Sequence, residues 1–129
     1  MPTLRTLLRL DAATCVLMGL LLLVGGDVLT TLTGLPAGLL FYAGIMLLPV
    51  AAFMAAVSLF RQVAPLAAWV VILGNGGWIA ASLLVLAGAW GAPNVFGISF
   101  VLVQAAVVAV LMIFEHKALR ASAPNGATA

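Results

Sequence analysis

Charge is what this sequence has least of. Of its 129 residues, 6% are Asp, Glu, Lys or Arg, against about 25% in an ordinary soluble domain. So few charges cannot cover a surface that meets water, which excludes an ordinary soluble fold. The scarcity of reactive side chains excludes more. A single cysteine, Cys15, rules out an intrachain disulfide. A single histidine, His116, rules out bis-histidine haem ligation within the chain, and no metal-ligand spacing is present. The one lysine, Lys117, follows the last apolar run, the wrong place for a retinal Schiff base. There is no Ser-His-Asp or Cys-His arrangement and no phosphate-binding glycine loop after a strand. An enzyme is therefore not expected, and neither a cofactor nor a nucleic-acid partner is called for.

What is present is apolar: 66% of residues are hydrophobic, and the mean hydropathy is +1.34. A membrane helix needs about 20 mostly apolar residues. Four runs qualify, at residues 7–24, 39–59, 66–89 and 96–114, separated by turn signals such as Gly25-Gly26, "TGLPAG" and "WGAPN". Only helices and closed barrels satisfy the backbone in lipid, and these runs are too long for barrel strands. The expected fold is all-α: one domain over residues 1–120, an antiparallel, up-down four-helix transmembrane bundle. Residues 121–129, "ASAPNGATA", read as a disordered tail. Asp27 can cap a short interfacial helix over 28–33, stopped by Gly34 and Pro36. A cleaved signal peptide is not expected, because Asp11 interrupts the first run and the cleavage pattern is poor.

All five cations lie at one set of ends: Arg5 before the first span and Arg9 in its opening turn, Arg61 between the second and third, Lys117 and Arg120 after the fourth. The loops at 25–38 and 90–95 have none. The positive-inside rule then puts both termini in the cytoplasm.

Polar residues inside spans carry the functional expectation. "GNGGW", residues 74–78, interrupts the third run with three glycines and an asparagine. By helix rise, Asn75 lies about 14 Å from the start of its span and Gln104 about 16 Å from the end of the next. Equal depth on antiparallel neighbours pairs Asn75 with Gln104, and Ser82 with Ser99. Asn75, Trp78 and Ser82 share one face by their spacing, as do Gln104 and Glu115, eleven residues apart. The glycines serve close helix packing, or they leave room for a ligand beside Trp78 and Asn75. Asp11, about 7 Å inside the first span, is a costly intramembrane carboxylate that should face the bundle; Asn75, His116, Lys117 or Arg61 are candidate partners. The candidate ligand-binding residues are thus Asp11, Asn75, Trp78 and Gln104. Pro49 should kink the second span, His116 should face headgroups, and Cys15 reads as a small apolar residue.

The stretches "LLRLDAATC", "GLP", "GNGGW" with "AASLLVL", "FVLVQA" and "FEHKALR" span nearly the whole chain. Together they resemble small four-span bacterial inner-membrane proteins of uncharacterised function. The resemblance implies topology and a bacterial inner membrane, and no site residue. Binding of a small apolar or amphipathic molecule or lipid is the leading expectation. A dimeric, small-molecule or proton-coupled transporter and an accessory subunit are the alternatives.

Overall fold

Each apolar run becomes one long helix, because a helix satisfies its own backbone and leaves only side chains to meet lipid. A computed structural model describes residues 3–122. Its elements are α1 (Leu4–Val24), α2 (Gly26–Thr33), α3 (Ala37–Ser58), α4 (Pro65–Leu86) and α5 (Val95–Ser122). The four long helices, of 21, 22, 22 and 28 residues, are long and apolar enough to cross a membrane. Leu17, Phe41, Ile45, Leu73, Leu84 and Val103 are among the large apolar side chains left exposed on them, as lipid-facing residues are.

The boundaries follow local chemistry. Thr3 caps α1, its hydroxyl accepting from the Thr6 N–H at 3.2 Å. Pro65 opens α4 at a position where its missing donor costs nothing. The short helix after the first span forms as α2, but Asp27 does not cap it. Gly25 alone separates α1 from α2, and Asp27 lies exposed in the first turn, where the helix dipole favours a carboxylate. Gly34 ends α2 at φ 73°, a left-handed conformation open to glycine without a Cβ penalty. Pro49 sits inside a helix that continues to Ser58. The largest departure is in α5, expected to stop at 114. "EHKALRAS" is rich in good helix formers, so the helix continues and includes Ala121 and Ser122; the rest of the expected tail, 123–129, lies outside the described residues.

Packing is uneven. α1 and α3 meet most closely, through Gly19 and Gly44. A Cβ on Gly44 would meet the Gly19 carbonyl oxygen and Leu22 Cβ, each at 3.1 Å, so two backbones approach where no side chain fits. α4 packs on α5, and α1 also touches α5. The consecutive helices α3 and α4 barely meet. At one end of the bundle Arg5 Nε and Arg9 Nη2 donate to the Ser58 carbonyl at 3.0 and 3.4 Å, satisfying the C-terminus of α3 with cations. At the other end Asn94 joins α5 to α2. Its backbone N–H and Nδ2 donate to the carbonyls of Thr33 and Leu32, and its Oδ1 accepts from the Gly97 N–H at 2.9 Å. Two apolar clusters form the core, one around Leu8, Met54 and Ile72, the other around Leu22, Leu47 and Val101, and Cys15 borders both.

Candidate functional site

Three helices bring one polar residue each to a single point. Asp11 of α1 is 1% exposed, Asn75 of α4 8% and Glu115 of α5 0%. Asn75 Nδ2 donates to Asp11 Oδ2 at 2.9 Å and to Glu115 Oε1 at 2.8 Å. A primary amide suits this bridging position, because its nitrogen carries two hydrogens, one for each carboxylate. A serine hydroxyl would serve only one. Cys15, one turn after Asp11, directs its thiol at Asp11 Oδ1 at 3.8 Å. Glu115 Oε2 is buried and accepts from no donor among the described residues. Every hydrogen bond just described comes from a neutral donor.

A second polar layer lies along the same faces. Trp78 Nε1 donates to Gln104 Oε1 at 2.6 Å. Gln104 Nε2 donates to Ser82 Oγ at 2.9 Å and to the Val101 carbonyl at 3.0 Å. Ser82 Oγ in turn donates to the Trp78 carbonyl at 2.8 Å. These bonds lock the indole against α5 and close the network on itself.

The expected bond between Asn75 and Gln104 is therefore not made. Asn75 pairs with Glu115, and Gln104 with Trp78 and Ser82; Ser99 bonds the Val95 carbonyl of its own helix. The angular faces agree with the spacing, but the register along α5 is displaced by about two to three turns. The displacement follows from the continuation of α5 to Ser122, which puts Glu115 inside the bundle instead of at its rim. From sequence, Glu115 is legible only as sharing a face with Gln104. Of the candidate partners for Asp11, Asn75 is the one it bonds; His116 instead lies edge-on to Trp69, with ring centroids 5.4 Å apart, and Lys117 and Arg61 are exposed.

Beside these layers, the gap between α3 and α4 is a groove of about 740 Å³. Its walls are apolar, including Leu47, Val50, Phe53 and Val85, and the polar residues along it are Asn75, Trp78, Ser82 and Gln104. Gly74 and Gly77 line it, and a Cβ on either would meet nothing within 4 Å. Close packing is thus not what these two glycines do. Gly76 behaves differently, facing Met112 Cε at 3.3 Å. A smaller cavity of about 180 Å³ reaches Asp11 and Thr14 and shares Cys15, Trp78 and Gln104 with the groove. No family model, curated protein or solved structure matches the chain.

Proposed function

We propose that this multi-pass membrane protein binds a small apolar or amphipathic molecule, a lipid included, in the groove between α3 and α4. The observation that carries the reading is the groove itself. Its volume of about 740 Å³ falls within the usual range of ligand sites, about 300–1,000 Å³. An apolar wall with a few convergent polar groups is also the usual chemistry of such sites. Gly74 and Gly77 keep side chains out of the space, and a membrane ligand can enter sideways where α3 and α4 barely meet. The role is binding rather than catalysis. The location proposed is a bacterial inner membrane with both termini cytoplasmic, on the strength of the cation distribution. The buried carboxylate pair beside the groove favours one second reading, a proton-coupled transporter working as a dimer.

The test uses purified protein in phosphatidylcholine nanodiscs and the neutral apolar fluorophore N-phenyl-1-naphthylamine. Saturable energy transfer from tryptophan, at about one probe per chain and absent from empty nanodiscs, is expected. Gly77→Leu should weaken binding at least tenfold and leave the melting temperature unchanged, since the new side chain enters open space. Equal binding by the variant and the parent would overturn the reading.

A further inference from the structure

The carboxylate pair has a chemistry that an apolar groove does not require. Asp11 and Glu115 are drawn together from different helices and share one amide nitrogen. Two negative charges held together in an apolar interior are strongly unfavourable, so the pair persists only with compensating positive charge. The neighbouring elements do not provide it. On α1, Arg5 and Arg9 bond the Ser58 carbonyl, and Cys15 is neutral. On α4, Pro65–Leu86 carries no ionisable side chain. On α3 the only one is Tyr42, which is exposed. On α5, His116 faces Trp69, while Lys117 and Arg120 are exposed. The compensating charge is then a proton or a ligand.

Two further observations favour a ligand. Glu115 Oε2, in a residue with 0% exposure, accepts from no donor among the described residues, and the Asp11 carboxyl beside it can partner it only by holding a proton. Asn75 lines the groove and bonds both carboxylates, and the cavity of about 180 Å³ that reaches Asp11 is divided from the groove by side chains lining both, Cys15, Trp78 and Gln104 among them, so the pair lies one layer of side chains behind the groove wall. We propose that Asp11, Asn75 and Glu115 form the headgroup site for an amphipathic organic cation whose apolar body lies in the groove. On binding, the cation replaces one proton held by the pair, and the charge of the site is unchanged. Asn75 holds the two carboxylates together in both states. The proposal rests on the groove reading for the body of the ligand and adds the sign of its charge.

The experiment compares three probes on the full chain in phosphatidylcholine nanodiscs: tetraphenylphosphonium, its near-isosteric anion tetraphenylborate, and neutral N-phenyl-1-naphthylamine. Calorimetry in two buffers of different ionisation enthalpy counts protons. Expected is saturable phosphonium binding with about one proton released, at least tenfold tighter than borate after correction for empty nanodiscs, and weaker as pH falls. Asp11→Asn and Glu115→Gln should each lose at least tenfold in phosphonium affinity, and lose the proton release, while binding the neutral probe as before. Should either variant fail to fold, proton release and the cation-to-anion ratio of the unmodified protein decide the matter. Phosphonium binding without proton release, or equal affinity for borate, overturns the proposal. If the neutral probe binds and phosphonium does not, this inference alone falls; if neither binds, the groove reading falls with it.

Discussion

Asn75→Leu tests the architecture of the site most directly. Leucine is close to asparagine in shape and removes both N–H groups, which reach Asp11 Oδ2 at 2.9 Å and Glu115 Oε1 at 2.8 Å. Interhelical hydrogen bonds in membrane proteins contribute about 0.6 kcal/mol on average and up to about 1.7. Two of them put the loss at about 1–3 kcal/mol. Uptake of a proton by the acid pair would offset the desolvation of acceptors left bare, which favours the lower half of that range. Unfolding by sodium dodecyl sulfate in mixed micelles, followed by circular dichroism, measures the change. The sharper measurement is a double-mutant cycle. Asn75→Leu with Glu115→Leu should show coupling of about 0.5–1.7 kcal/mol, because each removes the same bond. Asn75→Leu with Gln104→Leu should be additive to within about 0.5 kcal/mol, because Gln104 bonds Trp78, Ser82 and Val101 instead. Additivity in the first cycle and coupling in the second would refute the observed register and restore the pairing expected from depth.

The same unfolding assay should separate the glycines. Gly44→Leu forces a side chain between two backbones and should cost about 1–3 kcal/mol or more, while Gly74→Ala, which meets nothing within 4 Å, should change stability by no more than about 0.5 kcal/mol; comparable losses from both would contradict the packing described. Asn94→Ala should remove the α5 cap and the tie to α2, costing about 1 kcal/mol and speeding hydrogen exchange in α2 before the rest of the bundle; uniform exchange would argue against a local joint. Alkaline phosphatase fused after Ala129, active only outside the cytoplasm, should be inactive, and a strong signal would reverse the proposed orientation.

Much of this molecule is legible in one dimension. Hydropathy alone yields four apolar helices, because lipid tolerates only self-satisfied backbone and needs about 20 residues to be crossed. Helical spacing likewise determines direction around each axis. It sets Asn75, Trp78 and Ser82 on one face of α4 and Gln104 and Glu115 on one face of α5, and all five meet other polar groups there. The cost of an intramembrane carboxylate is enough to expect Asp11 facing inward, and it is 1% exposed.

Position along the axis is a different quantity. Depths counted from span ends place the end of α5 where hydropathy falls, at 114, and so match Asn75 to Gln104. Helix propensity carries α5 on to Ser122, which moves the true end of the helix outward and leaves Glu115 inside the bundle, bonded to Asn75. Nor does glycine content distinguish Gly44, pressed against another backbone, from Gly77, which fronts a groove. Both are small residues in apolar helices, and what differs is the neighbour. Local sequence determined helix identity and face, since both arise from contacts within four residues of chain. Register, the partner of each polar group and the gap between α3 and α4 were decided only in the tertiary structure, because they depend on how separate helices minimise exposed polar atoms and empty volume together.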